Sequence, residues 1–378
     1  MIKRSIVANF KNVLGWRTSE RYLAFAVDDY GSVRLASRGA RDKLEKSNSC
    51  RMGQMDRFDA VETCEDLQAL FEVLRAHKDA AGRVAIFTAF TLCANPDFDY
   101  LRKHRAYGHE TLLQTFERLS SEQHKAYEGT WAVWKEGISS GLIRPQFHGR
   151  EHFNVPLLVK KLLDRSADLE ANVAVDSMAG LQDDPELPGV GFTHAFGIHD
   201  ASVLPLQREI INSGLRLFED IFEFRSVTFT PPAGKLHPSL DGYVHALGVK
   251  SIDKPFFGTR PIGNGRNQRS INFLEPPKEG KNGKIVRTLS FEPCSGVKSD
   301  PVGEALREIE IAFRWGKPAI ISSHRVNYGG HIDPENRKRG LGALSELLQR
   351  IKKLWPDIRF VSVDELAEIM EADVSRVQ

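Results

Sequence analysis

Cysteine is scarce in this chain, with four in 378 residues, at Cys50, Cys64, Cys93 and Cys294. Their wide spacing excludes a CxxC-type metal pair and offers no disulfide framework, so a reducing compartment is the simpler expectation. Neither sign of charge is in surplus, with 52 Lys plus Arg against 50 Asp plus Glu. Nucleic-acid proteins usually carry a clear basic excess, and that class is set aside. No stretch approaches the roughly 18 apolar residues of a membrane-spanning helix. The opening MIKRSIVANFKNVLGWRTSERY is basic, yet it lacks the apolar run and small-residue cleavage site of a secretory signal, which makes the expected location cytoplasmic. Residues 2–16 are mildly amphipathic, and a packed terminal helix is a more ordinary use of them than contact with a membrane surface. Repeats, low-complexity tracts and an interdomain linker are missing as well.

What is present suits a large core: 41% of the chain is hydrophobic and 22 residues are Phe. Short apolar runs alternate with helical spacing. Leu23 to Val27, Val84 to Leu92, Leu142 to Phe147, Val227 to Thr230, Val249 to Ile252 and Ala319 to Ser322 read as buried strands. Thr193 to Ile198, Ser270 to Leu274, Ile285 to Phe291 and Ile358 to Ser362 are further strand candidates. Between them, Glu65 to His77, Val155 to Leu163, Leu206 to Phe222, Glu304 to Trp315 and Gly340 to Trp355 carry helical periodicity. The alternation predicts an α/β fold with parallel strands covered by helices, in about eight strand–helix units. Periodicity does not separate a barrel from a doubly wound sheet. The expected organisation is an N-terminal extension over residues 1–20 and a single domain over 21–378.

Four features carry chemistry. Asp28 and Asp29 are adjacent carboxylates at the end of a buried strand, where parallel α/β folds bind ligands. Two such groups are costly without a partner. A cation held by one would leave the other free as a base; the plainer reading is a turn with a helix cap. His148-Gly149-Arg150-Glu151-His152 follows another strand. If His152 opens the next helix, both imidazoles can face one point, and with a carboxylate they form a three-ligand metal site. His324 ends the Ala319 to Ser322 strand, and an imidazole there can protonate a leaving group near neutral pH. Thr230-Pro231-Pro232-Ala233-Gly234 makes a rigid turn after a fourth strand. His194 and His199 are read as ordinary hydrogen-bonded histidines, and Trp131 and Trp134 as core.

In this order the features resemble the polysaccharide deacetylases of the NodB-homology type, carbohydrate esterase family 4. The family's Thr-Phe-Asp-Asp-Gly is matched by Ala26-Val27-Asp28-Asp29-Tyr30, with Gly31 one place late. His-Ser/Thr-x-x-His is matched by His148 to His152, and Leu-x-His is approached by Ile321-Ser322-Ser323-His324. Pro231 to Gly234 resembles Arg-Pro-Pro-Tyr-Gly, but Thr230 stands in the place of the Arg and Ala233 in that of the Tyr. For Asp-x-x-x-Trp there is only Asp253, with no following Trp.

The resemblance implies a distorted (β/α)7-type barrel and a metal-dependent hydrolase that removes acetyl groups, N-acetyl first, from a sugar. Asp29, His148 and His152 would hold one divalent metal, zinc before manganese or cobalt. Asp28 would be the base and His324 the acid, with an oxyanion donor in the Tyr30–Gly31 turn. Tyr30, Arg150, Pro232 and Arg325 would contact substrate, and Arg150, Arg325 or Arg260 would replace the family Arg. The basic, acid-free stretch Lys254 to Leu274 suggests a grip on phosphate, hence a nucleotide- or lipid-linked acetylated sugar as partner. Two other readings stand beside this one. A glycosidase would use Asp28 with Glu292, and a silent relative would bind carbohydrate without turnover.

Overall fold

The computed structural model describes residues 2–297 and 299–377, excepting the side chains of 2–6, 376 and 377. Nine parallel strands form its main sheet. In chain order they are β1 (Tyr22–Tyr30), β2 (Phe87–Leu92), β3 (Ile143–Gly149), β4 (Thr228–Phe229), β5 (Ser251–Asp253), β6 (Gly283–Ile285), β7 (Leu289–Ser290), β8 (Ala319–His324) and β9 (Arg359–Phe360). Their spatial order is β6-β5-β4-β3-β2-β1-β8-β7, with β9 also paired to β1. Strands β1 and β2 are buried on both faces, which explains the unbroken apolar runs LAFAV and FTAFTL.

The edge strands β6 and β7 are consecutive in the chain, separated only by Val286, Arg287 and Thr288. Four residue steps span at most about 14 Å, so the sheet must curl until its two edges nearly meet. The N-terminal helix Ile2–Asn12 covers this seam. Ala8 and Asn12 are buried, and Lys11 and Leu14 face Val286 and Thr288. Trp16 N donates to Leu274 O at 2.8 Å just beyond it. Within the stretch expected as an extension, Val7, Ala8 and Lys11 line the cavity that the strand ends form.

Helices cover the outer face where their caps predict. Thr63 and Asp66 form a capping box ahead of Cys64–Ala76, and Asn154 caps Val155–Leu163. Two expected strands fall out differently. Thr193 to Ile198 is a series of turns, punctuated by Gly191 and Gly197 and pinned by Asn154 Nδ2 to the carbonyls of His194 and Gly197. Ile285 to Phe291 is not one strand but the end of β6, a turn inward at Arg287, and β7. The basic stretch 254–274 is a two-stranded antiparallel hairpin, Phe257–Gly263 with Arg266–Ile271, outside the main sheet. No described helix is long and apolar enough to cross a membrane.

Helix Pro334–Leu354 packs Gly340 against the turn after β8. A methyl carbon added there would lie 1.6 Å from Asn327 O. Alanine favours a helix by about 1 kcal/mol over glycine, but that overlap exceeds what relaxation absorbs. Gly340→Ala is therefore expected to destabilise the fold by about 2 kcal/mol or more, read from urea denaturation.

Candidate metal-centred active site

The carboxyl ends of β1, β3, β4, β5, β7 and β8 open into one cavity of about 730 Å³. Asp28, Asp29, His148, His152, Thr230, Asp253, Arg287, Ser322 and His324 all line it. Residues one apart on a strand normally face opposite ways. Asp28 and Asp29 share the cavity because Asp29 adopts a left-handed backbone (φ 75°) and the β1–β2 register shifts there. Aspartate tolerates that conformation better than most residues. Gly31 follows at φ 77°, where a Cβ would meet Leu92 O at 2.9 Å, so a glycine is needed one place after Tyr30.

Asp29, His148 and His152 place ligand atoms within 4.8 Å of one another. His148 Nε2 lies 3.2 Å and His152 Nε2 3.0 Å from Asp29 Oδ1. His148 Nδ1 lies 2.7 Å from Thr230 O, a carbonyl that can only accept. Nδ1 therefore carries a proton, and Nε2 is the atom turned toward the Asp29 carboxylate. The Nδ1–H···O=C bond is the orienting contact metal-bound histidines usually make. Burial would raise the Asp29 carboxyl, but the charge of His152, hydrogen bonds from His148 and His152 and the charge of His324 hold it well below the usual range in the metal-free protein. Burial lowers His152 despite Asp29, favouring the neutral imidazole that metals bind. The residue set fits one divalent ion. His152 does not open the next helix; it sits in the loop two residues before the Asn154 cap.

Asp28 is held by Arg287, with Nη1 2.6 Å from Oδ2 and Nη2 2.7 Å from Oδ1. The same guanidinium donates through Nε to Asp253 Oδ2 at 2.5 Å and through Nη1 to Ser322 Oγ at 3.0 Å. Burial disfavours the Arg287 charge, but Asp253 and Asp28 more than restore it, so it stays cationic at any working pH. Thr230 Oγ1 lies 3.4 Å from Arg287 Nη2 and donates to Asp253 at 3.3 Å. A small residue at position 230 leaves room for a guanidinium arriving from the seam.

The Arg partner of Asp28 is thus none of the three expected. Arg150 is buried against Glu151 at 2.6 Å and Ser213 at 2.9 Å. Arg325 is 2% exposed and spent on Asp59 and Glu62. Arg260 pairs with Asp241 at 2.6 Å. Arg150 and Arg325 are also absent from the cavity wall as substrate contacts, and so is Tyr30, buried edge-on against Trp134. Pro232 is buried, while its neighbours Pro231, Ala233 and Gly234 line the cavity. Gly31 N, offered as an oxyanion donor, already donates to the Glu62 carboxylate at 3.1–3.2 Å. His194 and His199 lie in the turns after Gly191, away from the cavity lining. The signal for Arg287 was a charge interrupting the apolar run Ile285 to Phe291, which only an inward-facing role explains.

His324 is the β8 register partner of Asp28. Its Nδ1 lies 2.7 Å from Glu292 Oε1, and Asn327 Nδ2 donates to Oε2. Burial lowers the imidazole, and the Glu292 hydrogen bond and charge outweigh that, pushing it up to about 10. Both Glu292 oxygens are occupied, and the residue does not line the cavity.

No family model and no curated protein matches this chain. Its fold is similar to several solved structures. A Mycobacterium smegmatis protein described as a polysaccharide deacetylase aligns over 95% of this chain and 93% of its own, at 11% identity and TM-score 0.47. A Pseudomonas aeruginosa protein with a similar description aligns over 92% and 89%, at 10% identity and TM-score 0.46. An allantoinase aligns over 94% and 92%, at 11% identity and TM-score 0.47.

Two outcomes follow from the charge network. Arg287→Met leaves Asp28 and Asp253 buried without a counter-charge and is expected to cost about 3–5 kcal/mol in chemical denaturation, with Arg287→Lys recovering only part because it lacks the fork. In the metal-free protein, Glu292→Gln removes the largest of the influences that raise His324 and leaves the charges of Asp29 and Asp28. Its NMR-monitored titration is expected to fall from about 10 toward the ordinary imidazole value; an unmoved midpoint would assign the shift to another group.

Proposed function

We propose that this protein is a metal-dependent deacetylase acting on an N-acetylated sugar. The observation that carries the reading is the convergence of His148 and His152 Nε2 on Asp29 beside a carboxylate, Asp28, clamped at both oxygens. Bound by those three ligands, a divalent ion, zinc before manganese or cobalt, supplies Lewis-acid chemistry, polarising the acyl carbonyl and easing deprotonation of water.

The chain's own groups then divide the proton work. Asp28 accepts the proton of the attacking water, and Arg287 fixes the carboxylate plane for that transfer. His324, beside Asp28 on the next strand, carries a proton at neutral pH and donates it to the departing amine nitrogen. Glu292 and Asn327 hold the ring in place for that transfer, Glu292 by accepting from Nδ1, so Nε2 is the donating atom. The products are acetate and a free amino sugar. A glycosidase pairing of Asp28 with Glu292 gains no support, since Glu292 is engaged by His324 and Asn327 and lies off the cavity wall.

Elemental analysis of the purified protein is expected to give close to one divalent ion per chain, lost in His148→Ala/His152→Ala. Acetate release from N-acetylglucosamine oligomers should fall by about 10²–10⁴ in Asp28→Asn with the metal retained. A wild-type protein that takes up no zinc, manganese or cobalt would sink the reading.

A further inference from the structure

Among the exposed large apolar side chains, several lie in two segments beside the cavity. Val7, Phe10 and Leu14 belong to the N-terminal helix and its exit; Phe257 and Ile271 belong to the hairpin. Phe10 is 52% exposed, Phe257 59% and Ile271 53%. The segments meet through Phe256, whose ring centroid is 6.0 Å from Phe10 and 4.6 Å from Phe257. Phe256 also lines the cavity next to Val7 and Ala8, so the patch continues the wall of the active site outward.

The hairpin has two unlike faces. Gly258, Arg260 and Asn272 turn toward Pro231, Leu236 and Pro255. Phe257 and Ile271 are opposed partners, so they share the other face, and Arg269, two residues from Ile271, stands on it as well.

Charge decides what this face fits. Residues 1–19 hold four Lys or Arg and residues 254–274 hold four more, and neither stretch contains a single Asp or Glu. The rest of the chain carries all 50 acidic residues. Lys254 and Arg260 are neutralised by Asp241, whereas Arg266 and Arg269 are exposed with no acidic partner among the described residues. Exposed aromatic and aliphatic side chains beside an unpaired arginine, on segments that themselves contain no acidic residue, match an anionic headgroup layer over hydrocarbon. A second copy meeting this face with the same face would bring like charge against it.

We propose that this face docks on an anionic lipid bilayer and turns the cavity mouth toward the headgroups. The docking is independent of the deacetylase reading and fails separately from it.

The test is co-sedimentation of the full-length protein with vesicles of about 30% phosphatidylglycerol in phosphatidylcholine, and with phosphatidylcholine alone. Binding is expected to the anionic vesicles only, and to be lost near about 0.5 M NaCl. Phe10→Ser/Phe257→Ser and Arg266→Gln/Arg269→Gln should each lower the bound fraction at least about tenfold. All four side chains are outside the cavity lining, so an unchanged melting temperature certifies that the variants fold. No binding by the wild type, equal binding to uncharged vesicles, or undiminished binding by both variants would overturn the proposal. So would a dimer in sedimentation velocity that Phe10→Ser/Phe257→Ser dissolves without altering vesicle binding.

Discussion

The clamp of Arg287 on Asp28 and Asp253 is the contact on which the rest of the site depends. One guanidinium inside the barrel reaches β1, β5 and β8 through Asp28, Asp253 and Ser322, with the Phe90 ring of β2 5.4 Å from its centre. Three charged groups in so dry a place are tolerable only together, because each unpaired member would cost several kcal/mol. The pairing therefore does two things at once. It lets carboxylates collect at the strand ends, and it ties β5 to the neighbouring pair β1 and β8, from which three strands separate it in the sheet, beside the seam where β6 and β7 part.

That seam is also why the arginine can be there. Two consecutive edge strands joined by three residues force the chain to turn inward, and Arg287 occupies the middle of the turn. In the family that the motifs resemble, the equivalent Arg precedes Pro-Pro. Here Thr230 holds that position and hydrogen-bonds Asp253, so the same volume receives its positive charge from another strand. His324 is fixed by Glu292, which follows β7, while Asp253 is taken by Arg287.

The strands and helices were legible wherever burial imposed a period. β1, β2, β3 and β8 sit where their apolar runs lie, and Val155–Leu163 has the bounds its periodicity gives. Asp28 with Asp29, His148 with His152, and His324 could be picked out as paired or lone ligand-type residues at or just after the ends of such runs, and the structure brings them into one cavity. What failed needed information that sequence spacing does not hold. Arg287 sat in a run whose apolar residues read as one strand, and only the curl of the sheet splits it. Tyr30 and Arg325 were chosen for lying next to site residues. In a strand the next residue faces away, and both are buried behind the site. Thr193 to Ile198 had strand composition, but its glycines and the Asn154 side chain make it a plug of turns.

The charge balance of the cavity bears on its ligand. Asp28, Asp29, Asp253 and Glu308 line it, against Arg287, Lys11 and the protonated His324. Arg287 is committed to Asp28 and Asp253, Lys11 lies 3.8 Å from Glu308, and His324 is paired with Glu292. The basic residues expected to grip a phosphate are elsewhere: Lys254 and Arg260 on Asp241, Arg266 and Arg269 on the outer hairpin. A phosphate entering this cavity would meet carboxylates first and find its cations already paired, at a cost that low-dielectric walls amplify. On the proposed function, a divalent ion at Asp29 would offset the carboxylates, and an uncharged acyl-amino group would suit the space beside the Pro231, Ala233 and Phe256 wall. On the docking proposal, an anionic headgroup would be met outside that cavity, by the arginines of the hairpin.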